Sequence, residues 1–195
     1  MYPLRLTKKL AGFGLGLFVI MAGGVARPAF ADTKVSQVII AGTRSASVTS
    51  PAFVEVSSTP AAHGAQTQNG TVTLTADDSS GSGAGWNVTL RSSDFVYTGT
   101  NGGTNIPAAN FSLTTINAPT ATAGEAVDGA NGPMVPAGLS AGQPTLESGV
   151  TVLQARPNYG MGTYTQVIGT RLVVPALSRA GTYTGTLTAT IATAP

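Results

Sequence analysis

From Thr71 to Ala76 the chain alternates without a break, with threonine at 71, 73 and 75 and Val72, Leu74 and Ala76 between them. The same period of two returns in Trp86-Asn87-Val88-Thr89-Leu90. It returns again near the C-terminus, where Tyr183, Leu187, Ala189 and Ile191 interleave with Thr182, Thr184, Thr186, Thr188 and Thr190. Successive side chains of an extended strand point to opposite faces, so this pattern gives each strand one buried side and one wetted side. Threonine and valine are also stiff at χ1 and suit a pleated surface better than a helix. No stretch after the first thirty or so residues carries a 3.6-residue period. Further strands are expected at Ser45–Thr49, Phe53–Ser57, Phe95–Thr98, Asn110–Ile116, Val150–Ala155 and Thr163–Val174. Asn69-Gly70, Asn101-Gly102 and Asn131-Gly132 are dipeptides that readily take positive φ, and they read as turns. Many short strands at nearly regular spacing predict an all-β fold, a single antiparallel β-sandwich of Ig-like architecture.

The first residues belong to a different kind of segment. Arg5, Lys8 and Lys9 precede the apolar run Leu10–Val25, and Ala29-Phe30-Ala31 follows it. A basic stretch, an apolar stretch and an A-x-A site read as a signal peptide over 1–31, cleaved after Ala31. The apolar run is broken by glycines and shorter than the ~20 residues a membrane span needs, so no retained span is expected. The remainder then divides into a lead-in at 32–43 and one domain at 44–195. Within the domain, Pro119–Gly149 is rich in Pro, Gly and Ala and has no period, so it reads as a long loop.

Cleavage would reverse the sign of the charge. The whole chain carries ten basic and eight acidic residues, but four of the basic ones precede residue 32. No basic patch remains, which argues against nucleic acid as a partner, because phosphate binding relies on clustered Lys and Arg. Charged residues make up only 9% of the chain, against about 25% in a typical soluble domain. With no cysteine, there is neither a thiol nucleophile nor a disulfide, and a packed core must hold the fold.

Candidates for chemistry are sparse. His63 is the sole histidine, and no sequence partner is evident to orient it as a general base. Asp77 and Asp78 adjoin a serine-glycine stretch, but the spaced D-x-D-x-D-G pattern of a calcium loop is missing, so a solvated turn is the simpler reading. Gly81, Gly83 and Gly85 lead into a strand rather than a helix, which disfavours a phosphate cradle. Asp94, Glu125 and Glu147 are isolated acids that sequence cannot pair as a glycosidase would need. Asn69, Asn87 and Asn110 each begin an N-x-[ST] triplet, a short and common pattern. No cofactor is implied. Trp86, the only tryptophan, shares a strand face with Val88 and Leu90; that position suits a core anchor, with direct ligand contact as the other reading.

Two stretches carry a resemblance. The run Asp78–Thr89 with its Gly81-Ser-Gly83-Ala-Gly85-Trp86-Asn87-Val88-Thr89 core, followed by Phe95, resembles the first signature of the WxL family of exported bacterial surface domains. The closing Ala180-Gly181-Thr182-Tyr183-Thr184-Gly185-Thr186-Leu187-Thr188 resembles the family's C-terminal end, and the similarity covers roughly residues 40–195. The resemblance implies a non-catalytic β-sandwich that attaches non-covalently to the cell wall, with peptidoglycan or another envelope glycan as target and other surface proteins as further partners. It makes Trp86, Asn87 and Val88 the wall-binding motif. Where the family has a second Trp-x-Leu, this chain has Ala189, Thr190 and Ile191, a degenerate motif. The rival expectation is a fibre or coat subunit that assembles by strand pairing, motivated by Thr-rich strands and a strand close to the C-terminus.

Overall fold

The computed structural model describes residues 36–51, 53, 64–139 and 143–194. The proposed leader, His63 and most of the expected strand at Phe53–Ser57 lie outside them. The chain divides into two compact units, Met1–Val38 and Ile39–Pro195, and every strand belongs to the second.

Among the described residues ten strands form in chain order: β1 (Arg44–Val48), β2 (Gln66–Asp78), β3 (Trp86–Ser92), β4 (Val96–Thr98), β5 (Phe111–Ile116), β6 (Thr120–Gly124), β7 (Val150–Ala155), β8 (Gly162–Val174), β9 (Thr182–Thr184) and β10 (Leu187–Thr193). One sheet runs β1-β2-β8-β5, with β6 pairing the other half of β8's outer edge. The opposing sheet runs β10-β3-β7, and β4 and β9 make a separate two-stranded ribbon. All pairings are antiparallel. The chain is thus the antiparallel β-sandwich its alternation predicts.

The inward set of each strand is the apolar set. Val72, Leu74 and Ala76 from β2 and Tyr164, Ile168 and Leu172 from β8 meet Trp86, Val88 and Leu90 from β3 and Val152, Leu153 and Ala155 from β7. Phe95 and Phe111 close one end, stacked edge-on with ring centroids 5.5 Å apart. Burial of this kind stabilises at roughly 25 cal/mol per Å² of apolar surface, and it is what holds a domain without disulfides. One polar side chain crosses the layer: Gln166 is 1% exposed and donates from Nε2 to the carbonyls of Asn117 at 2.9 Å and Val152 at 3.2 Å, linking β8 to β7.

Several expectations change. Asn69-Gly70 is not a turn; it lies inside the 13-residue β2, paired with Arg171 and Thr170 of β8. Gly162-Thr163-Tyr164-Thr165 and Gly181-Thr182-Tyr183-Thr184 repeat one another and read in sequence as the starts of two adjacent antiparallel strands, but the two segments are not neighbours. After Val174 the chain crosses to the other layer, and the terminal run breaks at Gly185-Thr186 into β9, which pairs β4, and β10, which pairs β3. The Pro119–Gly149 segment opens with β6, and its later part bridges to β5 at Thr145 and to β7 at Met134.

Candidate functional site

Trp86 begins β3 and is fully buried. Its indole Nε1 donates to the carbonyl of Gly160 at 3.0 Å, satisfying the one polar group that burial would otherwise strand. The Gly160 backbone is itself held: Oε2 of Glu125 accepts from the N–H of Gly160 at 2.8 Å and of Met161 at 3.1 Å. Gly160 has φ +80°, and a Cβ there would sit 2.6 Å from Cβ of Ala155 and 3.0 Å from the indole nitrogen. Only glycine lets that carbonyl reach the ring. Tyr164 lies beside the indole with centroids 6.2 Å apart, and its hydroxyl donates to the carbonyl of Glu125 at 3.0 Å. Burial, followed by the negative charges of Glu125 and Asp78, raises the Tyr164 phenol above its usual value.

The glycine run before Trp86 is held by a charge network. Nε of Arg44 lies 3.1 Å from Oδ2 of Asp78, with side-chain exposures of 14% and 1%; its N–H is angled off the line to that oxygen, so the contact is an ion pair rather than a hydrogen bond. The same guanidinium donates from Nη2 to the carbonyl of Ala84 at 2.7 Å and to Oγ of Ser82 at 2.9 Å, and from Nη1 to Oγ1 of Thr193 at 2.8 Å. Oδ1 of Asp78 accepts from the Ser80 N–H at 3.0 Å and from Ser80 Oγ at 2.6 Å. Asp78 is therefore a buried anchor rather than part of a solvated turn. Asp77 accepts from Ser79 Oγ at 2.6 Å and Thr163 Oγ1 at 2.7 Å. The network ties β1 of one sheet to β10 of the other across the loop that delivers Trp86. Sequence reasoning missed Arg44, whose partners are 34 to 149 residues away along the chain; no local signal marks it.

The two motif triplets are brought together. β10 pairs β3 with Ile191 opposite Val88, Thr190 opposite Thr89 and Ala189 opposite Leu90. Trp86 and Val88 are buried, and Ala189 and Ile191 pack against the same core. Asn87 and Thr190, the middle residues, take the opposite parity and face out. Next to them, β7 sets Gln154 opposite Asn87 and Thr151 opposite Thr89. The Oγ1 atoms of Thr89 and Thr151 are 3.4 Å apart. Arg91, Thr188 and Ala192 share this parity, so the outward positions of these three strands carry amides and hydroxyls and, among the described strand residues, one charge, Arg91. Asn87, in a central strand, is half-exposed.

The other candidates do not converge. Asp94 accepts from the Ala108 N–H at 2.8 Å, Glu125 holds the Gly160 turn, and Glu147 is exposed. Among the described residues no three His, Cys, Asp or Glu side chains gather as a metal site would require.

No curated protein matches the chain closely enough to count as a relative. The family model described as "WxL domain surface cell wall-binding" matches residues 36–195, which takes in all ten strands, both motif triplets and the Arg44 network. The chain belongs to the WxL domain family of surface cell wall-binding proteins.

Proposed function

We propose that this chain is a secreted, non-catalytic module that binds peptidoglycan through the outer face of the β10-β3-β7 sheet. The observation that supports this face is the parity of the two motifs. Their apolar members turn inward, leaving Asn87 and Thr190 side by side with Thr89, Thr151 and Gln154 on one exposed surface. Amides and hydroxyls at strand spacing suit the hydroxyl and N-acetyl groups of a glycan, which offer donors and acceptors but little charge. Trp86 acts from beneath by fixing the strand that carries Asn87. Other surface proteins are further partners of the same flat face.

The test is co-sedimentation of the full chain with purified sacculi. Wild type pellets, and raising salt from 0.05 to 0.5 M on the order of a Debye-length change leaves binding nearly unaltered, because the face has one charge. Asn87→Ala combined with Thr190→Ala and Gln154→Ala lowers binding about thirtyfold, as expected when two hydrogen bonds of ~1 kcal/mol each are lost. Thr73→Ala with Thr75→Ala, on the outer face of the opposite sheet, leaves it unchanged. Undiminished binding by the triple variant refutes this face; failure of wild type to pellet at any salt refutes direct attachment.

A further inference from the structure

The three Asn-Gly dipeptides of the chain meet three different surroundings. Asparagine before glycine is self-reactive: the glycine nitrogen, unshielded by any side chain of its own, lies within reach of the asparagine side-chain amide carbon. Attack requires a glycine N–H free of a hydrogen bond and a backbone loose enough to swing it round. Asn131-Gly132 offers neither. The Gly132 N–H donates to the Asp128 carbonyl at 2.7 Å, and the Arg156 N–H donates to the Asn131 carbonyl at 2.8 Å. The Asp128 carboxylate accepts from the Asn131 N–H at 3.2 Å and from its Nδ2 at 3.0 Å. Asn69-Gly70 is closed by its sheet. The Thr49 N–H donates to the Thr73 carbonyl and the Ser79 N–H to the Thr43 carbonyl, so odd-numbered residues in and beside β2 face β1. Alternation turns the even-numbered ones toward β8, where Gly70 lies opposite Thr170.

Asn101-Gly102 meets both requirements. The pair follows β4 outside any strand, and both residues are exposed. Gly102 has φ +65°, a Cβ on it would meet nothing within 4 Å, and its N–H donates to none of the described residues. What holds Asn101 is a small exposed cluster. Its N–H donates to Oη of Tyr97 at 3.1 Å and its Nδ2 to the Ala180 carbonyl at 2.9 Å. Oη of Tyr97 donates to that same carbonyl at 2.9 Å. The side-chain amide thus ties the loop after β4 to the turn before β9, the strand that β4 pairs with. Exposed hydrogen bonds of this kind open far more often than a sheet ladder does.

We propose that Asn101-Gly102 is a self-modifying site, at which the Asn101 amide is converted to an acid and the loop is released from Ala180. The Gly102 nitrogen forms a bond to Cγ of Asn101 as the Cγ–Nδ2 bond breaks, and the proton lost by Gly102 leaves with Nδ2 as ammonia. Water then opens the five-membered imide. Cleavage of the new Cγ–N bond gives aspartate, and cleavage of the original peptide C–N bond gives isoaspartate, with the backbone rerouted through Cγ. No oxidant, metal or enzyme is needed. Either product replaces the Nδ2 donor with a carboxylate that faces the Ala180 carbonyl, acceptor against acceptor, and isoaspartate also displaces the N–H that reaches Tyr97. The β4-β9 ribbon therefore gains a negative charge and loses a tie as the protein ages.

The experiment incubates the full chain in mildly alkaline buffer, where the attacking nitrogen loses its proton more readily, and maps the peptides holding Asn69, Asn101 and Asn131 by mass spectrometry over time. Conversion at Asn101 runs roughly tenfold or more ahead of the other two, whose reaction waits on local opening. In chaotrope the three rates converge. Equal rates in the folded chain, or conversion led by Asn69 or Asn131, overturns the proposal. A lead for Asn101 that persists undiminished in chaotrope also overturns it, since the difference then belongs to flanking residues and not to the fold. The release has its own readout: Asn101→Asp installs one product, and amide exchange quickens at Asn101 and through β4 and β9 while β3 stays as in wild type. Unchanged exchange in the ribbon refutes the release.

Discussion

At the scale of single residues, the indole of Trp86 is the piece on which the rest of its sheet is set. Trp86→Ala leaves a large cavity beside Tyr164 and frees the Gly160 carbonyl; a loss of about 3–5 kcal/mol is expected in chemical unfolding. Gly160→Ala destabilises through a different route, because a side chain at φ +80° is strained and its Cβ meets Ala155 at 2.6 Å. Tyr164 adds a pH dependence. Its phenol is raised in the folded protein by burial and by Glu125 and Asp78. The folded state therefore favours the neutral form, so this contribution is complete below the unfolded value of about 10 and is lost as pH rises through the higher folded value. Thermal unfolding should thus be unaffected by Tyr164 at neutral pH and fall above pH ~10, with Tyr164→Phe flattening that fall. The inward position of Trp86 was legible because its parity matches Val88 and Leu90. Its acceptor was not, since Gly160 is 74 residues away and only the fold brings the two together.

At the scale of elements, the loop Ser79–Gly85 shows why charge is retained in a chain so poor in it. Arg44 satisfies a carbonyl and a hydroxyl of that loop, a carboxylate at the end of β2 and a hydroxyl of β10. Arg44→Met leaves the Asp78 carboxylate buried without its cation, which costs about 3–5 kcal/mol for a deeply placed pair; the paired change Arg44→Met with Asp78→Leu recovers part of it. Hydrogen exchange of the Ser80, Ala84 and Trp86 amides is the local readout, with faster exchange expected in the single variant. Strand positions were largely readable, because alternation marks β3, β7 and β8 within a residue or two and the C-terminal half of β2, though not its start at Gln66. Strand partners were not. Gly162-Thr-Tyr-Thr and Gly181-Thr-Tyr-Thr look alike, yet the former starts the 13-residue β8 and the latter makes a three-residue ribbon strand. Likewise Asn69-Gly70 has the chemistry of a hairpin turn, but pairing along the full length of β8 overrides it.

At the scale of the whole molecule, two sheets turn their apolar faces inward, and the proposed binding face is the polar outer side of the smaller one. Salt-insensitive attachment to sacculi, weakened about thirtyfold by changes at Asn87, Thr190 and Gln154 that leave the unfolding transition in place, is the expected behaviour of the proposed binding face. The family and the sandwich were legible from the motif residues and the alternation; which face the motifs present was not, since it depends on β10 lying beside β3. The strand order has a consequence for how the protein is made. β3 has β10 as its neighbour on one side, and β8 links β2, β5 and β6. A polypeptide emerging N-terminus first must therefore wait until residues 162–174 appear before the larger sheet can assemble, and until 187–193 appear before the smaller one is whole. Chains that stop before residue 187 should stay protease-sensitive in the smaller sheet, where β3 lacks one neighbour, so residues 187–193 close the sandwich last.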